Sequence, residues 1–227
     1  MIRYAPSARL SIVLTCLLLL GACARKLTTA HPDAGSALGP GPLLPPSAIG
    51  EQFLWRQHVT ATWEDRSESF DAVLQMHDGR LVLLGLGPMG SPAFMVALSE
   101  SGVTVENRTG RRMPFPAEHI IADIQKVFYP WLPPVADGFT GTRSGAYENL
   151  AISETYAGGR RLTRAFRRDD ASNRGELTVT YEGWRSGLLA PERAELINAW
   201  FGYQLTIVTV EQQRLPVSAG VSDEANQ

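Results

Sequence analysis

The sequence predicts a mainly β domain of antiparallel strands with a minor α part: one helix set into a sandwich or an open or closed barrel. Three observations predict this class. Apolar and polar residues alternate along successive runs, Asp78-Gly79 joins two such runs as a tight hairpin turn, and the apolar period changes once to that of a helix, between Ala117 and Tyr129. The size suits one domain. The chain has 227 residues, 44% hydrophobic and 19% charged, which is below the roughly 25% charge of an average globular protein and too apolar for a disordered one. Twenty-one basic residues face 23 acidic ones, a net charge of −2, so no global field attracts nucleic acid as a partner. Two cysteines build neither a disulfide framework nor a four-thiolate zinc site.

Residues 1–22 read as a lipoprotein signal peptide. Met1 to Arg9 carries two arginines and no acid, and an apolar run of eleven residues, Leu10 to Leu20, follows. Spanning a bilayer takes about 20 apolar residues, so this run has the length of a signal-peptide core. It ends in Leu20-Gly21-Ala22-Cys23, which resembles the bacterial lipobox; Cys16, after Val13-Leu14-Thr15, lacks the small residues such a cut needs. The resemblance implies that Cys23 becomes the lipidated first residue of a mature chain without a disulfide, anchored by its acyl chains. Ala24 at the second mature position implies the periplasmic face of the outer membrane. Residues 23–50, with five prolines and four glycines between His31 and Gly50, read as an extended lipid-anchored tether. Residues 215–227 read as a flexible tail, which leaves one domain over 51–214.

Within that domain the strands follow in order. Phe53 to Trp63 places Phe53, Trp55, Gln57, Val59, Ala61 and Trp63 on one face and Arg56, His58, Thr60 and Thr62 on the other. Ser69 to His77 repeats the period with Phe70, Ala72, Leu74 and Met76, and the Asp78-Gly79 turn leads into Arg80 to Leu86. Phe94, Val96 and Leu98 mark a fourth strand, and Gly102, Val103 and Val105 a fifth. In the helix, Ile120, Ile121, Ile124, Val127, Phe128 and Trp131 form one apolar stripe, with Pro116 and Glu118 at its start and Pro130 ending it. Strands resume at Glu148 to Tyr156, Arg160 to Arg167 and Glu176 to Trp184, and a last hairpin from Arg193 to Trp200 and Tyr203 to Glu211 turns at Phe201-Gly202. Such a stripe is expected against the concave face of the sheet, or capping the end of a closed barrel.

Motifs for catalysis are weak. Gly85-Leu86-Gly87-Pro88-Met89-Gly90 matches G-x-G-x-x-G in letters, but a strand follows where a dinucleotide site needs a helix, so it reads as a hairpin loop with Met89 at its tip. His31, His58, His77 and His119 lack the spacing of a metal site, and no nucleophile-elbow motif occurs. Glu64-Asp65 and Asp169-Asp170 fall in turns. No metal, cofactor or enzymatic activity is expected. Arg160, Arg161, Arg164, Arg167 and Arg168 put five arginines in nine positions. On a strand this is expected to be a solvated or edge-protecting face; the sharper alternative is contact of Arg160, Arg161 and Arg164 with an anionic headgroup or partner.

The anchor, tether, five antiparallel strands, apolar helix and further strands together resemble the LolA/LolB lipoprotein carriers. The likeness runs through Phe70-Asp71-Ala72, Leu81-Val82-Leu83-Leu84, Gly87-Pro88-Met89-Gly90 (where LolB has Asn-Pro-Leu-Gly), Gly102-Val103, Trp131-Leu132-Pro133, Tyr181-Glu182-Gly183-Trp184, Pro191, Glu195-Leu196 and Tyr203-Gln204-Leu205. The chain is most similar to an uncharacterised LolB-like branch, some of whose members are encoded with aryl polyene lipid biosynthesis genes. The resemblance implies an open, strongly curved antiparallel half-barrel whose concave apolar face is covered by helix and holds acyl chains. It further implies that Gly87, Pro88, Met89 and Gly90 form a loop inserting cargo into the membrane, with Met89 matching LolB's loop leucine. On this reading Trp55, Leu74, Leu83, Phe94, Ile120, Ile124 and Phe128 line the cavity of a monomeric, outer-membrane-anchored protein. It receives lipid or lipoprotein cargo, from a LolA-like periplasmic carrier for example. Two rivals are a scaffold with a filled β-core and a lipid hydrolase, the latter without a nucleophile and base at suitable spacing.

Overall fold

The structure, a computed structural model, describes residues 39–110, 113, 115–169, 175–185 and 189–216. The expected signal peptide, the expected lipidation site Cys23 and the expected tail from residue 217 onward lie outside the described residues. Eleven strands form one antiparallel sheet: β1 Phe53–Trp63, β2 Arg66–His77, β3 Arg80–Leu86, β4 Pro92–Ser99, β5 Gly102–Asn107, β6 Gly141–Tyr147, β7 Leu150–Ala157, β8 Arg160–Arg168, β9 Leu177–Glu182, β10 Arg193–Asn198 and β11 Tyr203–Arg214. Among the described residues one α-helix, α1, spans Ala117–Phe128.

The strand order is β5-β4-β3-β2-β1-β11-β10-β9-β8-β7-β6, so two meanders are joined where the first strand pairs with the last. That central ladder runs from Phe53 opposite Arg214 to Trp63 opposite Tyr203. β5 and β6 are the two edges, and the sheet is open between them. The chain must therefore travel from one edge to the other in passing from β5 to β6, and α1 lies on this crossover. Register shifts at Arg56/Gln57, Gly85/Leu86 and Thr155/Tyr156 are points where strands bend.

The curvature can be derived from what the last turn of α1 touches. Its Phe128 ring meets Trp55 of β1 at 5.0 Å, while the adjacent Lys126 carbonyl accepts from Arg164 of β8 at 2.6 Å. β1 and β8 are four strand spacings apart, about 19 Å on a flat sheet, against a helix only about 10 Å across. The sheet curls so that both reach one turn of helix. The predicted open half-barrel, with its helix on the concave apolar face, is the observed fold.

The inward phase of each strand supplies the core. In β1 the alternation is complete, with Phe53, Trp55, Val59, Ala61 and Trp63 buried. Leu74 of β2, Leu81 of β3, Val96 of β4, Leu177 and Val179 of β9 and Leu196 of β10 are inaccessible to solvent. Close approach makes one glycine irreplaceable: a Cβ on Gly85 would lie 2.1 Å from Cε1 of Phe94, its cross-strand partner. Phe94 in turn meets Phe70 edge-on at 5.5 Å. Gly85→Val is expected to drive Phe94 off this seat and destabilise the domain by about 1–3 kcal/mol, read from urea denaturation.

Three expectations are corrected. The strand expected from Glu148 to Tyr156 is β7, but an unexpected edge strand, β6, precedes it, and the two turn at Glu148, which has φ 50°. Next, the tether does not run free to Gly50. From Gly39 the chain lies against the domain and forms a short 3-10 turn, Pro46–Ile49, with Pro46 buried. Leu44 N donates to Gln125 Oε1 at 2.8 Å and Gln125 Nε2 donates back to Leu44 O at 2.7 Å, while Tyr129 OH donates to Pro46 O at 2.9 Å. These bonds form a strap over the polar side of α1. Finally, because of the strap the helix is buried on both sides: Gln125 and Lys126 are as inaccessible as Ile121 and Val127.

Candidate functional site

The sheet's contacts with α1 centre on a buried carboxylate. Glu154 occupies the inward phase of β7, after Leu150 and Ile152, and is inaccessible to solvent. Three guanidinium groups surround it: Arg143 Nη2 of β6 at 2.7 Å, Arg161 Nε of β8 at 3.1 Å and Arg164 Nη2 of β8 at 2.7 Å. Tyr156 OH donates to Oε2 at 2.7 Å. Burial alone would raise the carboxyl pKa, but the guanidinium groups of Arg164 and Arg161, with hydrogen bonds from Tyr156 and Arg143, outweigh it and hold it down at about 2.

One of these arginines also grips the helix end. Arg164 is completely buried and its Nη1 donates to Lys126 O at 2.6 Å. Tyr181 OH of β9 donates to Val127 O at 2.8 Å, and Trp131 Nε1 to Gln125 O at 2.8 Å. These donors satisfy C-terminal carbonyls that a helix leaves open, and the positive charge of Arg164 suits that end of its dipole.

A second buried cluster holds the middle of the helix. The Asp123 carboxylate accepts from Tyr203 OH of β11 and from Asn198 Nδ2 of β10, the latter at 3.4 Å. Lys126 Nζ donates to Pro40 O of the strap at 3.0 Å and lies 5.8 Å from the Trp200 ring centroid. Burial raises Asp123 to about 6, against the counter-effects of Lys126, Tyr203 and Asn198; burial lowers Lys126 to about 8, with Asp123 opposing. A carboxyl whose folded pKa is raised stabilises fully below its unfolded value near 4 and loses that contribution as pH rises through 6. Asp123→Asn is therefore expected to gain stability relative to the unchanged protein between pH 4 and 7, by about 3 kcal/mol, in paired urea titrations.

At the C-terminal end of α1 a half-enclosed cleft of about 130 Å³ opens between the strap, the start of β1 and β8. Trp55 and Arg161 are in its wall. On the β3–β4 connection, Gly87 N donates to Ser91 O at 2.7 Å and Gly90 N to Gly87 O at 3.1 Å, which closes a tight loop. Met89 stands at its tip with φ 59° and a side chain fully open to solvent. A left-handed backbone costs a non-glycine residue about 1–2 kcal/mol, so the loop spends strain on projecting an apolar side chain.

The residues expected to line a cavity come together in the interior. Trp55, Leu74, Leu83 and Ile124 belong to one buried cluster, with Phe94, Ile120 and Phe128 half-buried against it. Leu74 is inaccessible to solvent and Trp55 nearly so, with Trp55 bordering the cleft at the end of α1. The arginine run is corrected: β8 is an interior strand and Arg164 points inward onto Glu154, so among Arg160, Arg161 and Arg164 only Arg160 is exposed. The anion that Arg161 and Arg164 contact is the protein's own. Glu154, Asp123, Gln125 and Lys126 were missed by sequence reasoning. One signal was available, a lone acid in the apolar phase of Leu150-Ala151-Ile152-Ser153-Glu154. Among the described residues no group of three or more His, Cys, Asp or Glu side chains could hold a metal ion, and no helix is long and apolar enough to cross a membrane.

Fold and site define a class: an open antiparallel half-barrel stoppered by one helix and strapped by the segment before its first strand. The chain belongs to the DUF3261 family, whose profile, described as "Protein of unknown function (DUF3261)", matches residues 54–211. No curated protein matches the sequence. Similar solved structures include a LolA superfamily protein from Nitrosomonas europaea, at 10% identity and TM-score 0.43 over 76% of this chain and 96% of that one. A putative outer membrane lipoprotein-sorting protein domain from Vibrio parahaemolyticus is similar at 9% identity and TM-score 0.41, over 76% and 88%. A DUF1329 family protein from Desulfovibrio piger is similar at 10% identity and TM-score 0.42, over 76% and 88%.

Proposed function

We propose that this protein is a non-enzymatic lipoprotein, anchored through lipidated Cys23 on the periplasmic face of the outer membrane. It takes acyl chains of a lipid or lipoprotein between α1 and the concave sheet and assists their transfer to that membrane. One observation carries the reading: the apolar concave face of an open sheet is covered by a helix on a crossover, and that helix can leave without breaking any strand ladder. Burying a chain there gains roughly 25 cal/mol per Å² of apolar surface, which opposes the cost of displacing the helix. The protein acts as a monomer and receives its cargo from a soluble periplasmic carrier of similar fold.

Native mass spectrometry of Cys23→Ser protein exported to the periplasm tests this. A bound acyl-containing mass that disappears in Ile124→Glu is the expected result. The complete burial of Leu74, Leu81 and Val96 on the inward face favours a second reading, a scaffold that binds other envelope proteins and no lipid. A clean apo mass, with added lipid failing to bind, would establish the scaffold and end the carrier proposal.

A further inference from the structure

We infer that the cleft at the end of α1 is a subsite for the oxyanion head of an acyl amphiphile, a carboxylate or phosphate, with Arg161 and Trp55 as its donors. This rests on the acyl-binding reading and names which end of the ligand the protein recognises. Arg161 spends only its Nε on the protein, on Glu154 at 3.1 Å and Tyr156 OH at 3.3 Å. Its two terminal nitrogens have no hydrogen-bond acceptor among the described residues, although the group is held between the rings of Tyr156 and Tyr181 at 5.7 and 5.6 Å. A planar guanidinium with a free fork matches the two oxygens of a carboxylate or phosphate. The second observation is independent. Trp55, 1% exposed and in the wall of the same cleft, has an indole Nε1 with no hydrogen-bond partner among the described residues. Buried N–H groups are costly to leave unpaired, and an acceptor brought by a ligand would satisfy this one.

Charge points the same way. Three guanidinium groups meet one carboxylate at Glu154, an excess of positive charge immediately behind the cleft. The acid at the rim, Glu51, is engaged by Arg214 at 3.4 Å. Beside these donors the walls are apolar, from Phe53, Phe128 and Leu189, so the site combines a cationic end with a greasy one. Its volume of about 130 Å³ is well below the roughly 300–1,000 Å³ of whole-ligand sites. It suits a head and the first few carbons, and the remaining chain enters as α1 lifts.

Calorimetric titration of soluble Cys23→Ser protein with dodecanoate, dodecyl phosphate, dodecanol and inorganic phosphate tests the assignment, each alkyl probe kept below its micelle concentration. The charged amphiphiles are expected to bind at least about tenfold tighter than dodecanol. Arg161→Gln is expected to abolish that preference, the affinities for dodecanoate and dodecyl phosphate falling to that for dodecanol. The better of the two charged probes tells a fatty acid from a phospholipid source. Equal affinity for dodecanoate, dodecyl phosphate and dodecanol overturns the head subsite and leaves the carrier reading intact. Inorganic phosphate binding as tightly as dodecyl phosphate overturns the amphiphile and makes this a free-anion site. Failure of every alkyl probe overturns both readings. Should Arg161→Gln unfold, Arg161→Lys, which keeps the charge and loses the fork, and Trp55→Phe, which removes the unpaired N–H, give the same comparison; unchanged preference in both overturns the assignment.

Discussion

Glu154→Gln is expected to destabilise the domain by about 3–5 kcal/mol, the cost of leaving buried charge uncompensated. The carboxylate balances three guanidinium groups, and Arg164 is entirely out of water. Glutamine has the right shape and none of the charge, so Arg164 would be left buried against Arg161 and Arg143. A folded pKa held below the unfolded value means that the stabilisation is present in full above about pH 4.5 and lost as pH falls toward 2. Urea denaturation followed by circular dichroism should show an acid-sensitive native state in the unchanged protein and no dependence on this group in the variant. Adding Arg164→Met to Glu154→Gln should recover part of the loss, because a buried ion cluster replaced by apolar side chains is often tolerated better than one broken in half. Equal stability of Glu154→Gln and the unchanged protein would mean that the cluster is hydrated and contributes little.

Met89→Glu is expected to have the larger functional effect and almost no structural one. The side chain is fully exposed and touches nothing in the fold, so stability should change by less than about 0.5 kcal/mol. On the proposed carrier function, a carboxylate at the loop tip would have to enter the acyl region for cargo to be delivered, at a cost of several kcal/mol, whereas a flexible thioether enters freely. Transfer of a fluorescent acyl probe from purified protein to vesicles should fall to background in Met89→Glu and persist in Met89→Leu. Normal transfer by the glutamate variant would remove the loop from the mechanism.

Most of the sheet was legible in the sequence because one-sided burial writes a period of two. β1 shows it in every residue, and Asp78-Gly79 marks the β2–β3 turn without ambiguity. β6 escaped because it is an edge strand with Gly141 and Gly145, exposed over much of its length and free of an apolar phase. The helix was legible from its stripe, but the burial of Gln125 and Lys126 was not. Their partners are main-chain atoms of Pro40 and Leu44, more than eighty residues earlier, and composition alone marks that segment as a spacer. For the arginine run, counting charges suggested a wet surface. The deciding residue was a single acid on the neighbouring strand, whose inward phase identifies it only once the register of β7 and β8 is known.

Pairing the first strand with the last has a consequence for biogenesis. During synthesis the N-terminal meander emerges first, and the outer side of β1 has no neighbour until Tyr203 to Arg214 has followed. Until then an apolar strand is a naked edge able to recruit another chain. The ladder with the greatest sequence separation is thus the last to close, and folding is slowed accordingly. A chain cut short before β11 would lose more than its final strand: the two meanders would have nothing between them to hold them in one sheet.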